Sequence, residues 1–66
     1  MKPFSMIRVM DVYRNPTTFG EWVVLDKNKE EKLVQITLMG HNVPMWKRNT
    51  DRIFGFPCVQ QGYDDE

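Results

Sequence analysis

Residues 20–39, GEWVVLDKNKEEKLVQITLM, decide the fold. Glu21 to Asp26 carries Trp22, Val23, Val24 and Leu25 in one run, while Lys32 to Met39 sets Val34, Ile36 and Leu38 against Lys32, Gln35 and Thr37. Alternation by two with β-branched residues marks a half-buried strand. Between the runs, Asp26-Lys27-Asn28-Lys29-Glu30-Glu31 is polar throughout and reads as a turn. The stretch predicts a β-hairpin around which the other segments must close.

On the N-terminal side, Met1 to Ser5 reads as a loose lead-in, with Pro3 opposing helix. Met6 to Tyr13 (MIRVMDVY) reads as a strand with Ile7, Val9 and Tyr13 on one face and Met6, Met10 and Val12 on the other. Arg14 to Gly20 has turn chemistry, because Asn15-Pro16 initiates and Gly20 permits unusual backbone angles. On the C-terminal side, Gly40-His41-Asn42 is a compact turn, and Val43 to Lys47 reads as a short edge strand with Pro44 near its start. Asn49-Thr50-Asp51 can cap a single 3₁₀ turn over Thr50–Ile53. Ile53 to Phe56 then predicts a closing strand that Pro57 stops, followed by a polar tail.

The segment VPMWKRNTDRIFGF, residues 43–56, sets a Val-Pro approach, an aromatic and a one-turn helix before the closing strand. Over residues 6–56 this strand order resembles the SH3-like small barrels. The resemblance implies an all-β chain, a five-stranded SH3-like barrel with a short 3₁₀ turn before the last strand. One domain would span 1–66, with an ordered core over about 6–58 and a frayed acidic tail over 60–66. No ligand-binding residue carries over, since residues 14–20 hold no acid where the proline-binding members have an acidic loop. An OB-like barrel is the runner-up, and it usually needs a longer chain and a helix between its third and fourth strands.

A chain of 66 residues buries only about 60% of its unfolded surface, so it needs a staple or a partner to be robust. Cys58 is the single cysteine, which excludes an internal disulfide and a cysteine zinc cage. A lone thiol suits a reducing compartment. MKPFSMIRVMDVYR meets Arg8 and Asp11 too early for a signal peptide, and no apolar run approaches a membrane span. A cytoplasmic protein with no membrane partner is therefore expected. Nine acids balance nine bases, so the molecule as a whole has no electrostatic bias toward polyanions.

Catalysis finds little material. His41 is the only histidine and Ser5 the only serine, neither beside a second reactive group. Phe56, Pro57 and Val59 surround Cys58 and predict a passive, half-buried thiol. The four glycines are scattered, so no phosphate loop exists, and the acid pairs lie in solvated charged stretches. No catalytic residue, metal site or cofactor is expected.

The aromatics are more informative. Trp22, Phe54 and one of Tyr13 or Phe56 are assigned to the core. Phe19 and Trp46 lie beside turns, and an exposed aromatic is a common interface anchor. Phe19, Met45, Trp46, Lys47, Arg48 and Arg52 form the candidate partner-binding set. The expected function is a non-enzymatic interaction module, an accessory or regulatory protein that docks on a larger one. In size it compares with the small modulators that phages encode. The alternative is an RNA or single-stranded DNA binder that stacks bases on Trp46 beside Lys47, Arg48 and Arg52. A weak homo-oligomer is a further expectation, because a dimer would enlarge the small core.

Overall fold

A computed structural model describes residues 2–63. Five antiparallel strands form one sheet: β1 Val12–Arg14, β2 Glu21–Asn28, β3 Leu33–Leu38, β4 Met45–Arg48 and β5 Cys58–Gln60. Their spatial order is β4-β3-β2-β1-β5. Two 3₁₀ turns, Phe4–Met6 and Arg52–Gly55, complete the regular elements.

The β2–β3 hairpin is the longest ladder, pairing Trp22 with Leu38, Val24 with Ile36 and Lys27 with Val34. β2 runs two residues further than the charge pattern implies, and Asn28 Oδ1 accepts the Glu31 N–H at 3.0 Å inside the turn. Four successive apolar residues in β2 cannot all follow one alternation. The register shift between Val24 and Asp26 resolves this by leaving Leu25 as the unpaired residue of a bulge.

One face of the sheet carries the core. Tyr13, Val24, Val34 and Ile36 project from it and meet Ile7, Ile53 and Phe54, with Phe4, Trp22, Met45 and Phe56 packed at the margin. Tyr13 and Phe54 contact edge to face, with ring centroids 5.6 Å apart. The Lys27 and Lys32 ammonium groups sit over the Phe4 ring at 4.5 and 5.2 Å. Such contacts let long side chains shield a partly buried ring from water while keeping their charge solvated.

The sheet is not closed into a barrel, which corrects the SH3-like expectation. β4 and β5 lie at opposite edges and do not pair. Closure requires strands long enough to tilt and bend around an axis, and β1, β4 and β5 have three or four residues each. Instead the 3₁₀ turns and the segment around Ile7 cover the open core face.

Local expectations change with it. The strand expected over Ile53–Phe56 is the second 3₁₀ turn, and the closing strand is Cys58–Gln60, beyond Pro57. The strand expected from Met6 begins only at Val12, after the first 3₁₀ turn and a kink at Met10, whose φ is 74°. β4 starts at Met45 rather than Val43. In the part of the tail described, Gln60 belongs to β5 and Tyr63 bridges Val9, while residues 64–66 lie outside the described residues.

Candidate functional site

The candidate partner-binding residues do not converge. Along β4, Met45 and Lys47 lie opposite the buried Ile36 and Val34, so both point to the core side. Trp46 and Arg48, opposite Gln35 and Leu33, point to the other side. Trp46 keeps 44% of its surface exposed, whereas Met45 packs at the core margin. Arg52 begins the second 3₁₀ turn and lines a depression with Asn15, Pro16, Thr17, Thr18 and Phe56. Phe19 stands in the β1–β2 loop, 71% exposed.

That loop is tightly built. Asn15 N–H donates to Gly20 O at 2.9 Å, and Phe19 N–H donates to Asn15 O at 2.8 Å. Asn15 Oδ1 also accepts from Thr17 N–H at 2.8 Å. Phe19 is thereby fixed at φ 63°, a left-handed conformation that carries a penalty of about 1 kcal/mol for residues with a Cβ. The loop lies at the same end of the sheet as the β3–β4 connection, because Met39 N–H donates to Glu21 O at 2.8 Å. Register therefore gathers exposed Phe19, Met39 and Val43 at one end, with Trp46 at its flank.

A second polar centre lies inside the fold. Asp11 is 0% exposed, and its carboxylate accepts three hydrogen bonds. Oδ2 accepts the Arg8 N–H at 2.9 Å and the Tyr13 hydroxyl at 2.7 Å, and Oδ1 accepts the Gly62 N–H at 2.6 Å. A Cβ on Gly62 would stand 1.9 Å from Val9 O, so the arm docks only because this residue has no side chain. Burial first, then the hydrogen bond and charge of Asp11, push the Tyr13 phenol well above the ordinary tyrosine value. Among the described residues no buried side-chain oxygen or nitrogen lacks a partner, so the bonding of these groups is internal. The centre ties Gly62 to the residue before β1, and the adjoining Tyr63 N–H donates to Val9 O at 2.8 Å.

Sequence reasoning missed this centre. The available signal was an acid in the middle of the apolar MIRVMDVY run, since a buried carboxylate must find donors. Its partner Gly62, 51 positions away, is not visible from that run. Cys58 is exposed rather than half-buried, with Sγ 3.2 Å from Gln60 O. His41 occupies an exposed turn, where its N–H donates to Leu38 O. Among the described residues no three potential metal ligands come together, and no helix is long and apolar enough to cross a membrane.

No family model, curated protein or solved structure matches the chain, so no relative's activity bears on it.

Proposed function

We propose that the chain is a non-enzymatic interaction module that docks on a larger protein and modulates it, using the apolar end formed by Phe19, Met39 and Val43 with Trp46 at its side. Phe19 is the observation that carries this reading. It is both solvent-exposed and held at positive φ, so the fold bears a penalty at this position and gains no core packing from the ring. A residue kept against the interest of folding is explained by an external contact.

Docking through side chains is favoured over addition of a strand. β4 is an open edge, but Lys47 points to its core side and Pro44 precedes it, two devices that discourage edge pairing. The nucleic-acid alternative has the poorer geometry. Lys47 lies on the opposite side of β4 from Trp46 and Arg48, and Arg52 lines a different surface.

The test uses the full chain with a photo-crosslinking phenylalanine analogue at position 19, irradiated in lysate of the cells that make it. A single protein crosslinked at position 19, and lost when Met39→Ser and Val43→Ser are added, is the expected result. Crosslinks spread over abundant proteins, unchanged by those substitutions, would remove the reading.

A further inference from the structure

The depression beside the docking end has a chemistry of its own. It is open, holds about 350 Å³, and is lined by Asn15, Pro16, Thr17, Thr18, Arg52 and Phe56. The lining contains no acid. Nearby carboxylates are engaged elsewhere, because Glu21 accepts from Arg14 Nε at 2.9 Å and Asp51 Oδ1 accepts the Ile53 N–H at 3.0 Å.

Its donors, by contrast, are idle. Asn15 Oδ1 accepts the Thr17 and Thr18 N–H groups at 2.8 and 3.3 Å, which fixes the amide so that Nδ2 retains both its hydrogens for other partners. Thr18 Oγ1 accepts from Gly20 N–H at 3.3 Å and still has its own hydrogen to donate. Thr17 Oγ1 and the Arg52 guanidinium have no hydrogen-bond or ion-pair partner among the described residues. One cation, two hydroxyls and an amide thus line the depression beside Pro16 and Phe56, with no internal acceptor for them among the described residues. A planar guanidinium beside neutral donors matches a carboxylate.

We propose that this depression is a carboxylate site, and that it receives an aspartate or glutamate side chain of a peptide segment whose neighbouring apolar residue rests on Pro16 and Phe56. The proposal rests on the docking reading in one respect, that the source of the carboxylate is a protein. Ligand recognition is otherwise local to the depression, whereas the docking end is defined by Phe19, Met39 and Val43. Peptide rather than nucleic acid is favoured because a single unpaired cation flanked by apolar walls suits one isolated charge. A phosphate backbone needs a row of cations.

The experiment is an NMR titration of the isotopically labelled full chain with acetyl-Gly-Phe-Asp-Glu-Gly-amide. The control peptide has Asn-Gln in place of Asp-Glu, and a third arm uses hexathymidylate. The expected result is saturable shifts at Thr17, Thr18 and the Arg52 Nε–H, at least tenfold weaker affinity for the amide peptide, and an equal loss with Arg52→Gln. Thr17→Val, which leaves the guanidinium in place, should weaken binding several-fold. Equal binding of both peptides, or binding indifferent to Arg52→Gln, overturns the carboxylate site. Stronger displacement of the same resonances by hexathymidylate overturns the peptide assignment. Because Phe19 is unchanged throughout, failure here leaves the crosslinking test of the docking end standing, and failure there leaves this titration interpretable.

Discussion

Asp11, fully buried, holds three segments of the fold together through one carboxylate. Replacing it with alanine removes the acceptor for Arg8 N–H, Tyr13 Oη–H and Gly62 N–H together. Leaving the buried Tyr13 donor unmade costs about 1–3 kcal/mol, the part-buried Arg8 and Gly62 N–H groups add smaller losses, and small domains rarely hold more than about 3–5 kcal/mol in reserve. Asp11→Ala should therefore abolish cooperative thermal unfolding by circular dichroism, whereas Tyr13→Phe should lower stability by about 1 kcal/mol and keep it cooperative. The Tyr13 phenol adds an alkaline dependence. Its proton is held more tightly in the folded chain than at the ordinary value of 10.0. The resulting stability is complete below that value and drains as the pH rises past it, since the unfolded chain ionises first. In a Tyr63→Phe background, phenolate absorbance should appear together with loss of the dichroism signal; phenolate forming while the fold persists would contradict the assignment. At Phe19 the direction reverses. Phe19→Gly relieves a strain of about 1 kcal/mol against a partly offsetting rise in unfolded-chain entropy, so it should stabilise the chain by at most about 0.5 kcal/mol in urea titration while weakening partner capture. The apolar run that bears Asp11 was visible in the sequence, although only its end, from Val12, is strand, and so was an aromatic beside a turn. The left-handed angle at Phe19 was not, because neither Phe nor its neighbours demand it; the hydrogen bonds of Asn15 impose it.

At the level of elements, the central hairpin was legible because its two runs differ sharply from the ionic turn between them. The second 3₁₀ turn was misread for a physical reason. Ile53-Phe54-Gly55-Phe56 alternates like a strand, yet the Asp51 cap on Ile53 N–H and the Phe56 N–H bond to Ile53 O close it into a single 3₁₀ turn that seats Ile53 and Phe54 in the core. Asp51 capping Ile53 N–H begins the turn, and that cap was recognisable. The true last strand escaped notice because Cys58, Val59 and Gln60 are all exposed and give no burial pattern. Phe54→Ala should cost about 3–5 kcal/mol through lost burial and the missing edge contact with Tyr13. Phe56→Ala, only partly buried, should cost less. Urea denaturation of the two variants side by side checks the order; equal losses would mean that the turn does not seat Phe54 against the sheet.

For the molecule as a whole, the all-β, antiparallel character follows from the sequence; the count of five agrees only because a strand expected over Ile53–Phe56 stands in for the unexpected β5, and closure does not follow at all. Whether a short meander closes depends on strand length and bending, and hydrophobic pattern records neither. An open sheet leaves two edges, and a net charge of zero offers no general repulsion between copies. Lys47, on the core side of β4, opposes pairing at that edge together with Pro44 before it. Lys47→Ile should make the apparent mass rise with concentration in light scattering, while the parent mass stays level. Identical curves would locate the protection elsewhere.

The tie between Asp11 and Gly62 also dictates an order of assembly. The meander from β2 to β4 joins near neighbours in sequence and can form while synthesis is still under way. The seam between β1 and the arm must wait until residue 63 has been made, and until then a carboxylate destined for the interior lacks one of its donors. A nascent chain halted before that point would carry a ready-made hairpin and an unsealed flank, a distinction that cellular quality control could read.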